Sequence, residues 1–130
     1  MSRLIILTGL PASGKSTRAR ELLAEYGNAC RVNRDLLRQM LHADASWSGK
    51  QERITKDVAR MLVKHLLTDG KIGVLIIDDT NLHQGTAESW RSLAQECDAQ
   101  FEIVRMDTPL DECLRRDALR EKPVGRHVIL

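Results

Sequence analysis

The stretch from Gly9 to Thr17 reads G-L-P-A-S-G-K-S-T, and it constrains the fold of this chain more than any other. A loop of this kind works only between a buried strand and the start of a helix, and the flanking residues supply both. Ahead of it, Leu4-Ile5-Ile6-Leu7 is an unbroken apolar run, the pattern of a strand covered on both faces. Behind it, Arg18 to Tyr26 is rich in helix formers and closes on Gly27-Asn28, a helix stop. Gly9 and Gly14 allow backbone angles and a close approach that a side chain would block. Gly9, Pro11, Ala12, Ser13, Gly14, Lys15, Ser16 and Thr17 are thereby expected to wrap the phosphates of a nucleoside triphosphate. Backbone N–H groups and the positive end of the helix dipole would face the anion. Lys15 is placed to reach the β- and γ-phosphates, and the Ser16 hydroxyl to ligate Mg²⁺.

Beyond the loop, strand and helix signals alternate with no repeat, low-complexity tract or linker, so residues 1–130 read as one α/β domain. Cys30 to Asn33 is a short strand candidate and Arg34 to Ala43 a helix. From Lys50 to Thr68, Ile54, Val58, Met61, Leu62 and Leu66 form the apolar stripe of an amphipathic helix. Gly73 to Ile77 is a second apolar, β-branched strand. Thr86 to Cys97 reads as helix, with Trp90 and Leu93 in the core, and Phe101 to Met106 as strand, with Phe101 in the core. Thr108-Pro109 then opens a helix, with Thr108 as cap and Asp111 and Glu112 facing the dipole. Such alternation predicts a parallel sheet with right-handed crossovers and ligands at the carboxyl ends of its strands.

That rule brings two further segments to the rim that carries the loop. Asp35, just past the second strand, fits the base or orienting carboxylate that an acceptor hydroxyl needs, or equally a helix-starting Asp on the dipole. Arg38, one turn on, either pairs with Asp35 at the surface or grips a substrate phosphate. Asp78-Asp79-Thr80-Asn81 ends the most apolar strand, where acidic residues hold the water shell of Mg²⁺. Adjacent side chains point to different sides, and Asp79 is the preferred one of the pair. Arg116 and Arg120 share a helix face and fit either a lid over the triphosphate or a solvated surface. Trp47, in a Ser/Gly-containing loop, is a base-stacking candidate or a loop anchor.

Charge and cysteine usage exclude more than they identify. The net charge of +2 gives no global argument for nucleic acid, although the first 43 residues hold seven Lys and Arg against three Asp and Glu. Cys30, Cys97 and Cys113 have no zinc or redox spacing and read as idle thiols of a reducing compartment. His42, His65, His83 and His127 show no metal or triad spacing. The first apolar run is too short for a secretion signal, and no segment approaches membrane-spanning length. A cytoplasmic protein without a membrane partner is expected.

Together G-L-P-A-S-G-K-S-T, N-R-D-L-L-R, D-D-T-N-L and R-R-D-A-L-R-E-K-P-V-G resemble the phage-type polynucleotide 5′-hydroxyl kinases, in order and over nearly the whole chain. The resemblance implies a P-loop kinase fold whose four-stranded sheet has the order second, third, first, fourth, with an arginine-bearing helical lid. It implies transfer of a phosphoryl group from ATP or another nucleoside triphosphate, with Mg²⁺, to the 5′-OH end of DNA or RNA. Lys15, Asp35 and Arg120 become catalytic residues, with Asp35 the general base. Arg116 joins Arg120 at the nucleotide, and Ser16, Asp35 and Asp79 form the metal set. Arg34, Asp35, Arg38, Asp79 and Thr80 line the acceptor, with Arg38 on its 3′-phosphate.

No aspartate-rich phosphatase motif of the kind often joined to such kinases occurs, and the sequence stops at Val128-Ile129-Leu130. Either a minimal kinase or a domain cut from a longer protein is expected, with no oligomeric state specified. A kinase of the same superfamily acting on a nucleoside, sugar or antibiotic hydroxyl would keep the loop, Asp35 and the lid without Arg38. A nucleotide-gated binding module with little turnover is the reading from another class.

Overall fold

The computed structural model describes residues 2–9, 13–42, 49–79, 84–106 and 108–119. In chain order these form β1 (Arg3–Thr8), α1 (Lys15–Glu25), β2 (Ala29–Val32), α2 (Arg34–Leu41) and α3 (Gly49–Leu67). There follow β3 (Val74–Ile77), α4 (Gln84–Glu96), β4 (Gln100–Arg105) and α5 (Leu110–Ala118). The four strands make one sheet of order β2-β3-β1-β4, every pair parallel. This is the α/β architecture and strand order expected. Trp47, Pro11, Ala12, Thr80 and Arg120 lie outside the described residues.

Side chains alternate across a strand, so the two apolar strands feed both faces of the sheet at once. Leu4, Ile6, Leu75 and Ile77 pack with Ala59, Val63 and Leu67 of α3 and with Trp90, Leu93 and Ala94 of α4. Ile5, Leu7 and Ile76 pack on the other face with Ala19 and Leu22 of α1. Each such side chain removed from water contributes about 1.5–3 kcal/mol. Phe101 is half-buried against the first cluster, with the Arg91 guanidinium 4.8 Å from its ring centre. Cys113 is buried, and burial pushes the half-buried Cys97 thiol above its ordinary value. Among the described residues no helix is long and apolar enough to cross a membrane.

Three local expectations are corrected. α3 buries Thr55, Ala59, Val63 and Leu67, one residue round from the expected stripe; of that stripe Val58 and Leu66 pack half-buried against the core, whereas Ile54, Met61 and Leu62 are exposed. The Thr55 hydroxyl is satisfied by donating to the Gln51 carbonyl at 2.8 Å, so it can be buried with its apolar neighbours. Thr108 does not cap α5. Pro109 stands at that position, and the Thr108 hydroxyl donates to the Ser13 carbonyl at 2.7 Å, tying the start of α5 to the phosphate loop. Asn33, read as strand, is instead the cap of α2, its side chain accepting from the Leu36 N–H at 2.9 Å.

Candidate functional site

The loop after β1 is built around two glycines. Gly9 has φ +155°, and a Cβ there would stand 2.7 Å from Ser13 Oγ and 2.9 Å from Met106 Cβ. Gly14, at φ +99°, caps α1, which therefore begins at Lys15, earlier than composition alone suggests. Lys15 is buried on the first turn of α1, and its Nζ donates to the Gly9 carbonyl at 2.6 Å. Ser13 Oγ is buried with no hydrogen-bond partner among the described residues. Ser16 and Thr17 are exposed. A glycine cradle, a buried ammonium and a helix N-terminus fit the phosphates of a nucleotide.

Parallel pairing of β2 with β3 in the register Val32↔Ile77 brings the residues after both strands together. Asp78 and Asp79 are both buried, and they turn to different partners, as alternation requires. Asp78 accepts from Arg31 Nε and Nη2 at 2.9 and 2.6 Å and from Asn33 Nδ2 at 3.0 Å. The same Arg31 Nη2 lies 3.4 Å from Ser16 Oγ, so Asp78 is linked to the phosphate loop through one guanidinium. Asp79 accepts from the Arg34 backbone N–H at 2.6 Å and from its Nε at 2.9 Å. Burial pushes the Asp79 carboxyl above the ordinary carboxylate range, and its hydrogen bonds and charge pairing with Arg34 offset this only in part.

Asp35 and Arg38 lie on α2 at the same rim. The Asp35 side chain is 70% exposed and accepts from Arg38 Nη1 at 3.0 Å and from Gln39 Nε2 at 3.1 Å. Arg38 also donates through Nε and Nη2, at 3.1 and 2.6 Å, to Glu52 Oε2 on α3. Glu52 Oε1 is 3.7 Å from Arg34 Nη1. Arg34, Asp35, Arg38 and Asp79 thus join one network with Glu52. Asp35 touches neighbours on its own helix, whereas Ser16 is reached by Arg31.

Arg116 lies above the loop from the other side. Its Nη1 is 3.6 Å from where a Cβ on Gly14 would stand, and its Nε donates to Glu112 at 2.9 Å. Hydrogen bonds from Arg115 and Arg116 hold the Glu112 carboxyl down at about 2. Oxygen donors suited to Mg²⁺ are present in the Ser16 hydroxyl and the Asp78 and Asp79 carboxylates. Among the described residues no three His, Cys, Asp or Glu side chains form a metal cage.

Sequence reasoning missed Arg31 and Glu52 as members of the site. Arg31 stood only in the basic excess near the loop, and Glu52 follows Arg38 by 14 residues on a different helix, with no motif to mark it. The cap role of Asn33 had a signal, a short polar residue just ahead of a helical run.

A phosphate loop after the first strand, a parallel sheet of order β2-β3-β1-β4 and Arg116 over the loop define a P-loop kinase domain, the class of phosphotransferases that grips a nucleotide by its phosphates. The chain belongs to the AAA domain family AAA_33, whose model matches residues 4–129. It is 32% identical over 130 residues to the L-seryl-tRNA(Sec) kinase of Methanococcus maripaludis, covering 97% of this chain and 49% of that protein. It is 27% identical over 129 residues to a protein of Autographa californica nuclear polyhedrosis virus named as a bifunctional polynucleotide kinase/RNA ligase, covering 91% of this chain and 18% of that one. A solved structure, that of the Pnkp1/Rnl/Hen1 RNA repair complex, contains a similar chain with TM-score 0.82 and 31% identity, covering 96% of this chain and 39% of that one. The chain spans about half the length of the first relative and less of the other two.

Proposed function

We propose that this domain transfers the γ-phosphoryl group of ATP, or another nucleoside triphosphate, to the 5′-hydroxyl end of DNA or RNA. The observation that carries the reading is the pairing of Asp35 with Arg38 at 3.0 Å on the rim that bears the phosphate loop. An exposed carboxylate that can take a hydroxyl proton stands beside a half-buried guanidinium that keeps one hydrogen on each of Nη1 and Nη2 beyond its bonds to Asp35 and Glu52. A polynucleotide end presents both groups one nucleotide apart. The four motifs and the similarity to a polynucleotide kinase/RNA ligase and to the RNA repair complex support it.

In this mechanism the loop from Gly9 to Thr17, including Pro11 and Ala12, wraps the triphosphate, and Lys15 neutralises its β- and γ-oxygens. Ser16, Asp35 and Asp79 would hold Mg²⁺, which when bound neutralises charge on the phosphate oxygens. Asp35 accepts the proton of the 5′-hydroxyl as that oxygen bonds to the γ-phosphorus. The bond from the γ-phosphorus to the β,γ-bridging oxygen breaks, and ADP leaves. Arg116 and Arg120 offset charge spread over the transferred group. Arg38 binds the 3′-phosphate of the accepting nucleotide, and Arg34, Asp79 and Thr80 contribute to acceptor binding.

The 32% identity to a seryl-tRNA(Sec) kinase favours a second reading, in which the acceptor is a hydroxyl that is not a polynucleotide 5′ end. Labelled ATP incubated with 5′-OH oligodeoxynucleotides, 5′-OH oligoribonucleotides, seryl-tRNA and a bare nucleoside separates the two, with 5′-phosphorylated oligonucleotides as controls. Label on 5′-OH ends well above that on seryl-tRNA or the nucleoside, a poor acceptor, is the expected result, and Arg38→Ala should lower kcat/KM for those ends far more than for the nucleoside. Label on seryl-tRNA or the nucleoside in preference to 5′ ends would replace the first reading with the second.

A further inference from the structure

Glu52 belongs to none of the four motifs, yet it is the residue on which the acceptor arginine rests. Its side chain is 16% exposed, set on the first turns of α3. One of its oxygens takes both Nε and Nη2 of Arg38, at 3.1 and 2.6 Å. A guanidinium presents its N–H donors in a rigid planar fork, so a carboxylate on the Nε–Nη2 edge fixes the direction of the whole group. With that edge taken by Glu52 and Nη1 also donating to Asp35 at 3.0 Å, one hydrogen on each of Nη1 and Nη2 is left for the oxygens of a phosphate.

Glu52 is itself held in place. Its second oxygen lies 3.7 Å from Arg34 Nη1, and Arg34 is fastened by Asp79 through its backbone N–H and Nε. A carboxylate this enclosed does not readily give up its cations, because leaving them would strand a charge away from water. Arg38 is therefore the oriented partner and Glu52 the fixed one.

We propose that Glu52 is a positioning residue that sets acceptor specificity: it orients Arg38 toward the acceptor phosphate and so favours phosphate-bearing acceptors over bare hydroxyl compounds. The identity of that acceptor rests on the polynucleotide kinase reading above. The opposite role, an internal anion that occupies Arg38 and excludes the acceptor phosphate, predicts the opposite sign and is separated by the same experiment.

Wild type, Glu52→Gln, Arg38→Ala and the double variant are compared at saturating ATP and Mg²⁺ with a nucleoside 3′-monophosphate and the corresponding bare nucleoside. Glu52→Gln keeps the shape and removes the charge. It should raise KM for the 3′-monophosphate about ten-fold more than KM for the nucleoside, with kcat changed little. In the Arg38→Ala background the same substitution should add nothing, the signature of two residues acting through one contact. Glu52→Asp, which keeps the charge but shortens the reach, should give an intermediate shift and replaces Glu52→Gln if that variant melts early. A lower KM for the 3′-monophosphate in Glu52→Gln, equal losses on both acceptors, or losses that multiply with those of Arg38→Ala would each overturn the proposal. If Arg38→Ala alone leaves acceptor preference untouched, the polynucleotide reading falls. If Arg38→Ala changes preference and Glu52→Gln does not, the role of Glu52 alone falls.

Discussion

Replacing Gly9 by Ala tests whether the geometry of the phosphate loop is what holds Lys15 in place. Gly9 sits at φ +155°, and an added Cβ would lie 2.7 Å from Ser13 Oγ and 2.9 Å from Met106 Cβ. The Ser13 hydroxyl can rotate aside, so its contact is cheap to relieve. Met106 Cβ is attached directly to the backbone and cannot move without it. A non-glycine residue in such a backbone region costs about 1–3 kcal/mol. Overpacking a filled site costs about 1–3 kcal/mol more. The sum is about 2–6 kcal/mol, and a central value near 4 kcal/mol corresponds to a fall in Tm of roughly 12–20 °C for a domain of this size. Because the Gly9 carbonyl accepts from Lys15 Nζ at 2.6 Å, any relaxation that relieves the clash also displaces the ammonium. Nucleotide affinity of the folded fraction should therefore fall too. The assay is thermal melting by circular dichroism together with binding of a fluorescent ATP analogue. Gly27→Ala is the control, since nothing lies within 4 Å of a Cβ there. A Gly9→Ala protein that melts with Gly27→Ala and binds nucleotide like wild type would refute the reasoning.

Lys15→Ala should cut phosphoryl transfer by about 3 kcal/mol, roughly 10²-fold, while leaving the circular dichroism spectrum unchanged; near-normal turnover would mean that the loop does not hold a reacting triphosphate. Asp35→Asn should lower kcat roughly 10²-fold with ATP affinity little changed, measured by single turnover against equilibrium binding; lost ATP binding with normal turnover per bound ATP would make Asp35 structural. Arg31→Met leaves the fully buried Asp78 carboxylate without its main cation, a loss of about 3–5 kcal/mol in denaturant melts, and adding Asp78→Asn should restore part of it. Losses that simply add in that double variant would show that the pair is not coupled.

Much of the fold was written in local pattern. The runs at Leu4 and Val74 lack alternation because both faces of the central strands are covered, and this reads directly as a parallel sheet. α3 shows where pattern misleads. Ile54, Met61 and Leu62 outweigh Thr55 and Ala59 in size, yet the row through Thr55, Ala59, Val63 and Leu67 is the one buried, with Val58 and Leu66 at its edge. Thr108 shows a second limit, since its hydroxyl serves a carbonyl 95 positions earlier in the sequence rather than its own helix.

Residue order alone set the loop from Gly9 to Thr17, its strand and its helix, because these depend on neighbours along the chain. It also placed Asp35, Arg38, Asp78 and Asp79 on one rim, because each follows a strand of a parallel sheet or opens the helix beyond it. Which charge faces which was settled by packing. Asp78 meets Arg31 across 47 positions, Asp79 meets Arg34 across 45, and Glu52 meets Arg38 across 14. Those pairings follow from the register of β2 on β3 and from where α3 lies against α2. Electrostatic energy depends on distance and burial, and neither is encoded by the order of residues until the chain has packed.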